Sequence, residues 1–253
     1  MKRRAARLPW GVVSFLEGGG EGVPVVFVHG AGSQGSVWER VVPLPGKRRF
    51  ILVDLPGHGF SSFRPCPSIE EYRECLLKFF DEISLERPVL VGHSMGGAIA
   101  IKTAAVSDLS ALILVGTGGK LGVNPKLLKA LREDFPGAVR TMARWSVLKG
   151  SPEELLLAGE EDLFRAGQTV LLQDMENCDS YSGEEDLSRI FCPTLVVCGR
   201  EDVMTPLPLS EHLAERIPGA RLEVIGECGH TVQWEKPDEL KQAISSFLDE
   251  TGL

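Results

Sequence analysis

Val89-Leu90-Val91-Gly92-His93-Ser94-Met95-Gly96-Gly97 is the stretch from which the fold is read. Its first residues are branched and apolar, as in a strand buried on both faces. Residues 98–106 beyond it form an apolar run of helical length. Between the two, G-x-S-x-G turns the chain from strand to helix within a few residues. So sharp a turn holds its serine in a strained backbone conformation and leaves no space for Cβ atoms at Gly92 and Gly96. It lifts the Ser94 hydroxyl above the sheet edge. It also puts the Met95 amide at a helix start, where unpaired N–H groups and the helix dipole favour negative charge. The competing reading, a tight glycine turn with an idle serine, does not account for the strand and helix on either side.

Outward from this turn, short apolar runs alternate with helical stretches. Residues 23–28, 50–53, 111–115, 194–198 and 222–225 are rich in Val, Ile and Leu without polar alternation. Strands of a parallel sheet covered by helices have this character. Residues 12–16 read as an edge strand ahead of them. Ser68, with Glu71 three positions on, fits a capping box, and Tyr72, Cys75, Leu76, Phe79 and Ile83 mark one apolar helical face behind it. Pro237 takes a favoured first-turn position, and Leu240, Ile244, Phe247 and Leu248 follow at helical spacing. The alternation predicts an α/β fold with a mostly parallel, doubly wound sheet.

The rhythm breaks between about Gly118 and Ser188, where only helical segments are legible, at 125–135, 137–148, 152–158 and 161–176. Charge is polarised here: residues 124–149 are rich in Lys and Arg, whereas residues 150–187 carry Arg165 as their one base. This stretch predicts a helical lid folded over one end of the sheet. Residues 1–118 and 188–253 then form the core and residues 119–187 the inserted lid.

A serine hydroxyl is a weak nucleophile and needs a base. His230 follows the last strand in Gly226-Glu227-Cys228-Gly229-His230, at the carboxyl end of the sheet with Ser94. The base needs an acid to fix its tautomer. Asp202, in Gly199-Arg200-Glu201-Asp202, directly follows the strand at 194–198; its neighbour Glu201 is the competing acid. The order Ser, Asp, His is the one this strand–turn–helix architecture takes. Acyl transfer also needs donors for an oxyanion. The Ala31 amide in His29-Gly30-Ala31-Gly32-Ser33 and the Met95 amide are the natural pair. His58, in Asp54-Leu55-Pro56-Gly57-His58-Gly59, reads as a structural turn histidine. Cys228, two residues from His230, reads as a small buried filler.

The 253 residues suit one large domain, or a core with a modest insertion. A net charge of −8 repels nucleic acid and anionic membranes, so neither is expected as a partner. The basic start is not followed by an apolar run of signal length, and no segment reads as membrane-spanning. Six scattered cysteines without C-x-x-C spacing suggest reduced thiols in a cytoplasm. No metal-ligand spacing and no complete dinucleotide fingerprint is present, so no cofactor or metal is expected.

Taken together, HGAG at 29–32, DLPGHG at 54–59, GHSMGG at 92–97, GREDVMTP at 199–206 and GH at 229–230 closely resemble the α/β-hydrolase superfamily. The resemblance is to the branch of small bacterial carboxylesterases with a helical lid. It spans residues from about 12 to 250 and is weakest over the lid. It implies a serine hydrolase with Ser94 as nucleophile, Asp202 as acid, His230 as base, and Ala31 and Met95 as oxyanion donors. Serine at the elbow departs from the haloalkane dehalogenases and epoxide hydrolases, which use aspartate there. Ring-cleavage carbon–carbon hydrolases often carry asparagine where this chain has His93, which favours an esterase. The expected reaction is cleavage of small to medium acyl esters through an acyl-enzyme, in a monomer or homodimer. Carbon–carbon hydrolysis, lactone opening and perhydrolysis are alternatives on the same triad. A ligand-binding protein with little turnover is the alternative of another class. Trp38, Met142 and Trp145 are the candidate pocket residues; Met142, Trp145 and Leu148 recur at roughly helical spacing, suited to an apolar wall over Ser94 or to packing on the core. Arg140 and Arg144 share a helix face and read as a solvated basic surface, with recognition of a substrate carboxylate as the alternative.

Overall fold

The chain opens with an antiparallel pair, β1 (Lys2–Leu8) and β2 (Gly11–Gly19). Both belong to an eight-stranded sheet in the computed structural model, which describes residues 1–253. The other strands are β3 (Pro24–Val28), β4 (Arg49–Val53), β5 (Val89–His93), β6 (Ala111–Val115), β7 (Thr194–Gly199) and β8 (Arg221–Ile225). Their order is β1-β2-β4-β3-β5-β6-β7-β8, and all pairs from β4 to β8 are parallel.

The apolar runs behave as two-faced buried strands because successive side chains point to opposite sides. Val26, Val28, Ile51 and Leu90 pack under α1 (Ile69–Glu82) and α2 (Met95–Ala104). Val25, Phe27, Leu52 and Val91 form a second core on the other side. The helices that follow are α3 (Pro125–Glu133), α4 (Phe135–Ser146), α5 (Glu153–Ser180), α6 (Leu207–Arg216), α7 (Val232–Glu235) and α8 (Pro237–Glu250). Leu240, Ile244 and Phe247 of α8 close that second core. Ser68 caps α1 as its spacing predicts, accepting the Glu71 amide, and Pro237 opens α8.

Two sequence expectations are corrected. The strand around residues 12–16 is not the sheet edge, because β1 pairs outside it along its whole length. Lys2, Arg3, Arg4 and Arg7 make β1 look like a basic tail. On an edge strand charged side chains are tolerated, since one side of the ladder meets only water; Arg4 pairs with Glu17 and Arg3 with Asp54. The segments 152–158 and 161–176 form one element, α5, which breaks at Gly167 (φ 80°, ψ 163°) and not at Gly159. Gly159 stays helical and faces Ala143; a Cβ there would sit 3.6 Å from the Ala143 methyl, an ordinary packing contact.

Between β6 and β7 the chain contributes α3, α4 and α5, which pack on one another, and a short 3-10 turn at Leu187–Arg189. They touch the loops that follow β3, β4 and β8: Asp174 on α5 meets Gly32 and His58, and the Ser146 carbonyl on α4 accepts the amides of His230 and Thr231. β3 lies between β4 and β5, so the chain winds away from it in both directions. The crevice at the carboxyl ends of β3 and β5 is such a fold's usual ligand site, and it is where His29–Gly32 and Ser94 meet.

Candidate active site

Ser94 follows β5 with φ 54° and ψ −118°, a conformation that costs about 1–3 kcal/mol for a residue with a side chain. The surrounding packing enforces it: Met95, Ala98 and Ile99 of α2 are wholly buried. A Cβ at Gly96 would lie 2.5 Å from the carbonyl oxygens of Val28 and His29, and one at Gly92 would overlap the Gly96 carbonyl. The elbow is thus pressed directly against the loop after β3.

Asp202 and His230 come from the loops after β7 and β8. His230 Nδ1 donates to Asp202 Oδ2 at 2.8 Å. Asp202 Oδ1 accepts the backbone amides of Met204 (2.8 Å) and Thr205 (2.9 Å). The Thr205 hydroxyl donates to Asp202 Oδ2 at 2.7 Å and lies 3.2 Å from His230 Nδ1. Burial alone would push the Asp202 carboxyl up; the positive charge His230 can carry, its hydrogen bond and the Thr205 donors outweigh burial and hold the carboxyl at about 2. Gly116, just after β6, has φ 52°, a conformation that favours glycine, and faces the pair. Glu201 turns away and accepts the Cys228 amide. Because Nδ1 of His230 is committed as a donor, its Nε2 lone pair is the one left to take a proton. No hydrogen bond joins Nε2 to the Ser94 hydroxyl in this resting geometry, but both residues line one cavity. Such contacts are commonly loose before substrate binds.

Three more histidines are buried, one of them against this pair, and their partners fix their protonation. His93 donates from Nε2 to the His230 carbonyl (3.0 Å) and accepts from Gln233 at Nδ1 (3.3 Å). It is therefore neutral; burial, then the neighbouring His230 charge, pushes it down to about 3. Its ring lies against that of His230, tilted by 49° with centroids 4.6 Å apart. His29 donates to the Gly30 carbonyl and accepts the Leu55 amide, again as a neutral ring, lowered by burial and by His58. His58 differs. Its Nδ1 faces the Pro56 carbonyl and its Nε2 faces Asp174 Oδ2 at 2.8 Å, so both nitrogens must donate and the ring is an imidazolium. Burial acts to lower it, yet the Asp174 carboxylate prevails and raises it.

Asp174 also accepts the Gly32 amide (2.9 Å) and the Tyr72 hydroxyl (2.7 Å). Further along α5, Asp162 accepts from the Ser33 hydroxyl and the Gln34 side chain. Two carboxylates of one helix, on either side of the Gly167 break, thereby hold residues 32–34 beside Ser94. The Ala31 amide in this loop has no acceptor in the protein, and Met95, as the first residue of α2, has no intrahelical acceptor for its own.

The cavity over Ser94 measures about 110 Å³. His93, Ser94, His230 and Ala31 line it, together with Met142, Leu155 and Leu163 from α4 and α5. Trp38 and Trp145, expected in the pocket, do not. Trp38 is wholly buried against Phe27 in the core below, its rings 5.2 Å away. Trp145 is 39% exposed, because α4 turns Met142, Ala143 and Ser146 inward and carries position 145 round to solvent. Leu148 is also outside the wall, in which Val147 takes part. Arg140 and Arg144 are exposed on the same outer face. Cys228 is buried, as expected. Thr205, Asp162, Asp174 and Gln233 were missed. Of these only Thr205 had a legible signal, three residues after Asp202 in Asp-Val-Met-Thr-Pro, where an aspartate can accept the amides that follow it. No cluster of three or more His, Cys, Asp or Glu converges as metal ligands would.

The profile of the alpha/beta hydrolase family matches residues 25–243. The chain belongs to this family. Among α/β hydrolases, a 2-hydroxy-6-oxo-6-phenylhexa-2,4-dienoate hydrolase of Comamonas testosteroni is 30% identical, over 90% of this chain and 88% of that protein. A dihydrolipoyllysine-residue acetyltransferase component of an acetoin cleaving system, from Pseudomonas putida, is 28% identical over 94% of this chain; the match spans 66% of that longer protein. The solved structure of a thermophilic esterase is 31% identical, with a TM-score of 0.89 over 99% of this chain and 98% of that one. Hydrolase chemistry is common to the family match and two of these relatives, whereas their substrates differ.

Proposed function

We propose that the protein is a serine hydrolase that cleaves carboxylic esters of small to medium acyl compounds through an acyl-enzyme on Ser94. The observation that carries this reading is the 2.8 Å Asp202–His230 pair, opening its free Nε2 onto the same cavity as the strained Ser94.

Ser94 Oγ attacks the ester carbonyl as His230 Nε2 accepts its proton. The carbonyl oxygen becomes an oxyanion facing the Ala31 and Met95 amides, each contributing about 3 kcal/mol to the transition state. Asp202 stabilises the imidazolium without taking the proton. His230 then protonates the leaving alcohol. A water, deprotonated by the same nitrogen, cleaves the acyl-enzyme and restores Ser94. Helices α3 to α5 act as a lid whose inner wall sets acyl size, and a cavity of about 110 Å³ suits short chains. The six unpaired cysteines fit a reducing compartment.

A second reading, hydrolysis of a 2-hydroxy-6-oxo-dienoate, is favoured by the names of several relatives near 30% identity. A panel of p-nitrophenyl esters of rising chain length, run beside such a dienoate, separates the two. The ester reading expects turnover of the short esters, abolished in Ser94→Ala with the fold intact. Turnover of the dienoate alone would overturn it.

A further inference from the structure

We propose that the site accepts acyl groups that are uncharged and rejects those bearing a carboxylate, and that Asp162 enforces this choice. The inference rests on the ester-hydrolase reading of Ser94 and narrows its substrate class.

The physical basis is the charge of the wall. No lysine or arginine lines the cavity. The one acidic side chain on it is Asp162 of α5; burial raises its carboxyl, while the Gln34 and Ser33 hydrogen bonds and the Arg165 charge favour its ionised form. The nearby cations are on the wrong side of the helices: Arg140 and Arg144 are exposed on the outer face of α4, and Lys120 is exposed beside the wall residue Leu121. Arg165 reaches Asp162 at 3.2 Å but from outside, with its side chain half exposed. Of the two imidazoles in the wall, His93 is held neutral by its partners, and His230 is held by Asp202. Apolar side chains such as Leu155, Leu163 and Met175 fill much of the rest.

A carboxylate entering such a cavity loses its water shell and finds no cation to replace it. It also meets a carboxylate of like charge, fixed by Ser33 and Gln34 (3.2 and 3.1 Å). An uncharged acyl chain loses little on entry and gains contact with the leucine and methionine side chains. This charge pattern runs against the dienoate hydrolases among the relatives, whose named substrates are acids.

The test compares two p-nitrophenyl glutarates that differ only at the far end, one a methyl ester and the other a free acid. Wild type should turn over the methyl ester with a kcat/KM at least about 100-fold above that of the acid. Asp162→Asn should narrow this ratio; the new carbonyl can still accept from Gln34, while the new amide donates to the Ser33 hydroxyl instead of accepting from it. Leu155→Arg, which puts a cation on the half-buried wall, should narrow it further by raising turnover of the acid. Equal kcat/KM for the two esters in wild type would overturn the inference and leave the hydrolase reading standing. Hydrolysis of neither ester, with no labelling by a fluorophosphonate, would overturn the hydrolase reading, and the inference with it.

Discussion

His58 Nε2 and Asp174 Oδ2 lie 2.8 Å apart, from residues 116 positions apart in the chain and without solvent exposure at either side chain. The pair joins α5 to the loop after β4, and Asp174 extends the connection to Gly32. A buried charge pair is tolerated only when its remaining hydrogen-bonding groups are also satisfied; the Pro56 carbonyl, the Gly32 amide and the Tyr72 hydroxyl do this. Asp174→Asn removes one charge and should destabilise the protein by about 3–5 kcal/mol in urea titrations. The His58 value is raised, so the pair's contribution is complete below the ordinary histidine value of 6.5 and lost as pH rises through the raised value. The gap in stability between wild type and variant should therefore be wide below pH 6.5 and shrink as pH rises through the raised value. A gap that widened with pH would contradict the charged state of His58.

Asp202, held at about 2, stays ionised at neutral pH. Its depressed value contributes stability above the ordinary carboxylate value of 3.8, lost only as pH falls through about 2. The kcat/KM profile should accordingly carry no Asp202 titration above about pH 4. Asp202→Asn should lower kcat by about 10⁴-fold, because an amide hydrogen bond favours the wrong imidazole tautomer. Steady-state kinetics on a short ester measures this; a loss under tenfold would sink the role given to Asp202.

Thr205 is a positioning residue, acting on His230 through Asp202. Thr205→Val keeps the shape and removes one hydrogen bond to a carboxylate, about 1.5–3 kcal/mol, or roughly 10- to 100-fold in kcat. KM should stay level. Thr205→Ser should restore most of the rate, whereas equal losses in Val and Ser variants would point to packing instead.

The turn of α4 separates two residues that sequence spacing groups together. Met142→Ala should enlarge the cavity, move the acyl preference toward longer chains and cost about 2–5 kcal/mol of stability. Trp145→Ala should leave chain-length preference unchanged, with stability altered by under about 1 kcal/mol. A shift in preference in the Trp145 variant, measured on the same ester series, would return that residue to the pocket.

Legibility in the sequence followed the range of the interaction. The six apolar runs of the parallel sheet were readable because burial on both faces keeps nearly all charge out of them, Glu223 on the outer strand β8 being the exception, and each forms its strand within a residue or two. The elbow was readable because close backbone approach demands glycine at positions 92 and 96. Asp202 and His230 follow strands and so fall at the carboxyl edge by topology alone. β1 was hidden because an edge strand exposes its charges. The ties from Asp162 and Asp174 were hidden because an acidic residue on a helix looks the same whether it faces water or a loop more than a hundred residues away. The outward turn of Trp145 depended on the exact phase of α4, which spacing from Met142 alone does not fix.

Labelling with a fluorophosphonate, followed by intact-mass and peptide analysis, bears most directly on Ser94 as nucleophile. The expected result is one adduct per chain, on the peptide containing Ser94, with loss of ester turnover in proportion. It should vanish in Ser94→Ala and slow sharply when His230 is replaced by glutamine. A folded wild-type protein that takes up no probe, or a Ser94→Ala variant that still hydrolyses esters, would contradict it.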